Sequence, residues 1–154
     1  MTESVQENVL SYMRRHNTMT LATCSGDKPW AAAVFYVNLG FKLYFLSEET
    51  TRHSLNLTEN ELVAVTINED YKNWKEIKGV QLEGTVRVLE GKLETSRVMA
   101  AYLKKYPFVA SLSNQSKFSK LMKCIKVYCV NPNTIWFLDN ALGFSNRQKL
   151  ELDI

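Results

Sequence analysis

Three groups of residues have side chains whose types and spacing could do chemistry. The first is Ser47-Glu48-Glu49-Thr50-Thr51-Arg52-His53, where hydroxyls and a cation open a segment of helical character. Unpaired amides at a helix N-terminus favour an anion by roughly 0.3–1 kcal/mol, and a neighbouring arginine adds forked, charge-assisted bonds to a phosphate. The same run also reads as an ordinary helix cap with a solvated arginine, and caps are far commoner than phosphate sites. The second group is Gln81, with Lys78 nearby, on the polar side of an alternating segment. A side-chain amide offers a donor and an acceptor to the edge of a heterocyclic ring, although a solvent-facing sheet surface has the same pattern. The third is Trp136 with Arg147, whose plain readings are a core tryptophan and a solvated arginine.

Other chemistries are disfavoured. No serine, threonine or cysteine stands in a motif with a histidine and an acid, and Glu48-Glu49 with Asp139 make no recognisable carboxylate pair, which argues against a hydrolase. The two histidines, His16 and His53, share no metal-ligand spacing, so no metal site is expected. Cys24, Cys124 and Cys129 are too few and scattered for a disulfide scaffold and read as buried thiols. Net charge is +3 with the basic residues spread out, which does not call for nucleic acid.

The elements that must position these groups follow from periodicity. The chain of 154 residues is 45% hydrophobic and 23% charged, enough for one domain with a real core over 1–154. No run approaches the ~18 apolar residues of a membrane span. The acidic start lacks the basic and apolar regions of a signal peptide, so a cytoplasmic protein is expected. Val5, Val9, Leu10 and Met13 mark an amphipathic helix, and Ser4 with Glu7 has capping-box spacing. The period then changes to two. Strands are expected at Thr18–Cys24, from Pro29 to Asn38, at Lys42–Ser47 and at Leu62–Ile67, the last apolar enough for burial on both faces. Between Ile77 and Leu89, Val80, Leu82, Val86 and Val88 share one side, while Gln81, Glu83, Thr85 and Arg87 share the other. A helix over Lys92–Lys105 stops before Pro107, and 108–121 reads as one or two short helices. Two last strands, Lys123–Val130 and Thr134–Leu138, flank an Asn131-Pro132-Asn133 turn before a polar tail. Roughly seven strands without strand–helix alternation predict a mainly β, α+β fold, an antiparallel split β-barrel with a few peripheral helices.

Taken in order, these motifs resemble the pyridoxamine 5'-phosphate oxidase-like family of FMN-binding split barrels, and look closest to a small, poorly characterised branch of it. The resemblance rests on Leu21-Ala22-Thr23 with Gly26 and Pro29, AAAVFYV, LYFLS, Thr51-Arg52-His53, GVQLEGTVRVL and the block from Val127 to Arg147. It implies a homodimer holding FMN in two clefts at the subunit interface, reduced by NADH or NADPH. Ala32, Ala33, Val34 and Phe35 would lie along the flavin, with Leu46 and Ser47 at its ring or ribityl chain. Thr51, Arg52 and His53 would hold the phosphate. Gln81, two residues beyond the literal match at Gly79, would approach from the partner subunit, and Trp136 and Arg147 would complete the site. Two departures stand out: an alanine near Ala32 replaces a common arginine, and His53 replaces the lysine that brings a fixed charge. The motifs that recognise pyridoxal phosphate are not evident, so pyridoxamine phosphate is not the expected substrate. A flavin-dependent oxidoreductase acting on a small molecule is the leading expectation. A non-catalytic module for flavin, haem or deazaflavin, or a structural dimer without cofactor, are the alternatives.

Overall fold

In the computed structural model, which describes residues 4–112 and 114–152, the first element is helix α1 (Val5–Arg15). Its start is fixed locally. Ser4 Oγ accepts from the Glu7 amide while the Glu7 carboxylate accepts from the Ser4 amide, pairing two donors that the helix cannot satisfy itself. Tyr12 joins Val9 and Met13 on the buried side, and Leu10 is only half-buried.

Strands β1 (Thr18–Ser25) and β2 (Lys28–Phe35) form a hairpin. Its two-residue turn begins at Gly26 with φ 56°, a conformation glycine adopts at little cost. A second hairpin joins β3 (Val37–Leu39) to β4 (Lys42–Glu48). The single strand expected from Pro29 to Asn38 is thus broken at Tyr36. That residue is fully buried, its amide donating to the Asn17 carbonyl and its hydroxyl to that of Met13. These tertiary bonds override an alternation that runs on unbroken in the sequence.

Helix α2 (Arg52–Glu59), β5 (Leu62–Asn68), β6 (Lys78–Val88) and α3 (Lys92–Lys105) follow, then α4 (Pro107–Leu112), α5 (Ser116–Cys124), β7 (Ile125–Asp139) and β8 (Arg147–Leu150). The strand order is β2-β1-β5-β6-β7-β4-β3, with β8 also on β7. Every pairing is antiparallel. The two edge strands, β2 and β3, are consecutive in the chain and separated only by Tyr36, so the sheet has to curl until its edges approach. That is a split barrel.

Three local expectations are corrected. Strand β5 buries Val63, Val65 and Ile67 but exposes Leu62 and Ala64; it is covered on one face, because no layer lies over the other. Asn131-Pro132-Asn133 is not a turn but a bulge within one long β7, opposite a register shift between Glu83 and Gly84. A Cβ at Gly84 would stand 2.2 Å from the Asn131 carbonyl oxygen, so glycine permits the close approach that lets proline remain inside the sheet. Of the thiols, Cys129 is buried, Cys24 half-buried and Cys124 exposed, since residue 124 ends a helix and does not belong to the strand. The tail also contributes β8, which the polar composition of 139–154 conceals.

Two cores result. Leu21, Phe45, Ile67, Val80 and Ile135 fill the barrel with the inner side of α1. Outside it, Val98, Tyr102 and Tyr106 bury Val37, Tyr44 and Cys129. The Tyr102 hydroxyl donates to the Phe35 carbonyl at 2.7 Å, with the Tyr44 carbonyl at 3.4 Å, and that of Tyr106 donates to Asn17 at 2.9 Å. These tyrosines satisfy backbone acceptors along the seam, where strand pairing stops.

Candidate functional site

At one end of the barrel β4 delivers Ser47, and Thr51 caps α2 by accepting from the Ser54 amide at 3.4 Å. The ring of His53 turns inward. Its Nε2 lies 2.8 Å from Ser47 Oγ and 3.1 Å from Thr51 Oγ1, and Ser54 Oγ donates to Ser47 Oγ at 3.2 Å. His53 is 8% exposed and meets Phe45 edge-on. Burial holds its pKa below the ordinary histidine value, so the neutral form is favoured and no fixed charge stands there. The adjacent Arg52 points the other way. It is exposed, its guanidinium sits 4.5 Å from the centre of the Trp30 ring, and among the described residues it forms no salt bridge. Stacking holds the cation in place without neutralising it.

Along β2, side chains alternate. Ala32 is opposite the core residue Leu21 and Val34 packs against the barrel core, whereas Ala33 and Phe35 are exposed. Ala33, Val34, Phe35 and Leu46 nevertheless border one cavity, of about 350 Å³, between the seam and the helices. The structure brings these four residues together.

Gln81, Trp136 and Arg147 form a second group. Gln81 is opposite Trp136 in the ladder, and its Oε1 accepts from Arg147 Nε at 3.3 Å; Arg147 also donates to Ser145 Oγ. Gln81 and Trp136 border a groove of about 380 Å³ floored by Thr20, Ala22, Ala64 and Thr66. Lys78, expected near Gln81, is paired with Asp139 at 3.2 Å. Gly79 is opposite Asn68 and buried, so Gln81 supplies the amide at this place.

Ala33, Thr20, Thr66, Gln81 and Trp136 are successive partners across β2, β1, β5, β6 and β7. Directly opposed residues share a face, so the row lies on the outside of the barrel. Ala33 and Gln81 are three strand spacings apart, roughly 14 Å. One chain therefore has the two groups on a convex surface, where they cannot enclose a ligand between them.

Sequence reasoning missed Trp30, Tyr102 and Tyr106. Val98, Tyr102 and Tyr106 recur at intervals of four, a helical stripe that could have revealed the last two; nothing in the sequence marks Trp30 as the rest for Arg52. Among the described residues no group of three or more His, Cys, Asp or Glu could hold a metal ion, and no helix is long and apolar enough to cross a membrane. His16 has both ring nitrogens engaged, Nδ1 at 2.7 Å from the Tyr12 carbonyl and Nε2 at 2.6 Å from Glu69.

A family model described as pyridoxamine 5'-phosphate oxidase matches residues 5–139. The chain is 32% identical over 140 residues to the UPF0306 protein of Klebsiella pneumoniae (strain 342), covering 88% of this chain and 86% of that relative. In structure it is similar to a haem-binding protein from Mycobacterium smegmatis, with TM-score 0.77 and 20% identity over 97% of this chain. It spans 59% of that protein's chain. It is also similar to HutZ, the haem storage protein of Vibrio cholerae, with TM-score 0.67 and 17% identity, covering 85% of this chain and 92% of that one. At such identities the two structures establish the barrel fold.

Proposed function

We propose that this chain, which belongs to the pyridoxamine 5'-phosphate oxidase family, is an FMN-binding oxidoreductase that works as a homodimer and acts on a small molecule other than pyridoxamine phosphate. The observation that carries the reading is Arg52: an exposed cation with no carboxylate partner among the described residues, at the first turn of α2, held over Trp30. First-turn amides have no intrahelical acceptor, and although that of Ser54 donates to Thr51 Oγ1, a phosphate there gains the others together with the guanidinium fork. His53 supports the site from behind, keeping the Ser47 and Thr51 hydroxyls in place, and adds no charge of its own.

The same geometry supports the dimer in this reading. Gln81, Trp136 and Arg147 are exposed on the outer face of the sheet, and a second copy laid against β2 and α2 would turn two open surfaces into one cleft. Gln81 would then offer its amide to the ring edge, and the Arg147 guanidinium would add positive charge on the far side. Bound FMN supplies hydride or electron transfer at its ring, with a reduced nicotinamide as the source of electrons. The chain supplies position, exclusion of water and electrostatics. This agrees with a sequence that has no acid–base set.

The haem ligands of the two structural relatives suggest a different occupant. Imidazole ligation suits this chain poorly, because His16 is engaged at both nitrogens and His53 is buried among hydroxyls. The test is an absorption spectrum of the purified protein, followed by titration with FMN and addition of NADH or NADPH. Flavin bands that bleach with a reduced nicotinamide support the proposal. Failure to bind FMN, or a Soret band in place of flavin bands, would overturn it; bound flavin that no donor reduces would leave a binding module.

A further inference from the structure

The cavity of about 350 Å³ between the barrel seam and helices α3 to α5 has a chemistry unlike that of the Arg52 group or the Gln81 group. We propose that it is a binding site for an uncharged, planar ring molecule, which is the substrate delivered to that flavin. The inference deepens the function above and rests on it for the word substrate; the preference for a neutral ring stands on the cavity alone.

Its walls include Phe35, Leu46, Tyr102, Tyr106, Phe118 and Met122. Phe35 and Tyr106 meet at 5.3 Å and 66°, and Phe35 and Phe108 at 6.2 Å and 60°. Rings set at such angles accept another flat ring by edge and face. The two phenol hydroxyls among the described lining residues are already committed, donating to the carbonyls of Phe35 and Asn17. Burial pushes the pKa of both phenols up, so neither carries charge near neutral pH. Helix α5 turns Phe118 and Met122 toward the cavity while Lys117, Lys120 and Lys123 stay exposed. No lysine, arginine, histidine or carboxylate is among the described lining residues. An ionised ligand would lose its hydration there and gain no partner, whereas a neutral ring has little hydration to lose. Ala33, Val34, Phe35 and Leu46 border this cavity and are also the positions that the family resemblance assigns to the flavin. A ring held here would therefore adjoin the cofactor.

The experiment is calorimetric titration of the full chain, with and without FMN, using 2-naphthol and naphthalene-2-sulfonate, two ligands of one ring system that differ in charge. The neutral compound should bind at least about tenfold more tightly, and Met122→Glu should weaken it about tenfold while FMN affinity remains within about twofold. Selectivity for 2-naphthol in a protein that takes up no FMN supports the cavity and removes the flavin reading. Equal binding of both compounds, binding of neither, or displacement of 2-naphthol by FMN would overturn the proposal. The comparison of the two ligands on the unaltered protein decides the matter even if Met122→Glu fails to fold.

Discussion

The α2 end of the barrel and the outer face of β6 to β8 carry similar polar side chains under opposite conditions. Ser47, His53 and Ser54 are buried, and Ser47 bonds directly to both of the others, with Thr51 joining the network. Gln81, Trp136 and Arg147 are exposed, and a single 3.3 Å bond links the amide to the guanidinium. A satisfied buried network rigidifies its surroundings and has little left for a ligand. Exposed groups with few partners remain available. By that measure the residues left available to a ligand are Arg52 on the first side and Gln81, Trp136 and Arg147 on the second, while the side chain of His53 is taken up within the barrel.

Substitutions can break or sharpen this contrast. His53→Ala should have the largest effect, and on stability: it opens a cavity against Phe45 and strips partners from two hydroxyls, costing about 3 kcal/mol. In thermal unfolding that is a Tm lower by roughly 10 °C. An unchanged Tm would mean that the network holds nothing. Arg52→Ala should do the reverse, leaving Tm unaltered while FMN affinity falls by roughly 10- to 100-fold, the worth of charge-assisted bonds to phosphate. Gln81→Ala should cost FMN binding about fivefold, the size of one neutral hydrogen bond, with no effect on Tm.

The smallest effect is that of pH. Burial lowers the His53 pKa in the folded chain, so the unfolded chain takes up the proton first. Stability is then complete at neutral pH and is lost as pH falls through the unfolded value of about 6.5 toward the lower folded one. Tm measured between about pH 7.5 and about pH 5.5 should fall in the wild type, and fall less in His53→Gln. Equal slopes in the two proteins would remove His53 as the cause.

Much of the fold was legible because its signals are local. Ser4 with Glu7, Gly26 at the first turn and the alternation of β6 each act within a few residues of themselves. The break at Tyr36 was not legible, since its cause is a pair of carbonyls at Asn17 and Met13. Asn131-Pro132-Asn133 misled for a related reason: turn residues also suit a bulge, and only Gly84 on the neighbouring strand decides between the two. In the site, residue types identified Arg52, Gln81, Trp136 and Arg147 as candidates. The inward turn of His53 depends on the hydroxyls of Thr51 and Ser47, two and six residues before it, and no pattern in the chain specifies it.

A cleft shared between two copies can be tested by subunit complementation. In homodimers of Arg52→Ala every site lacks the phosphate cation, and in homodimers of Arg147→Ala every site lacks the opposite wall. A heterodimer of the two, isolated through different tags, concentrates both defects in one site and leaves the other whole. FMN titration of that heterodimer should recover one tight site per dimer. Two weakened sites and no tight one would contradict a cofactor held by Arg52 of one copy and the outer sheet face of the other.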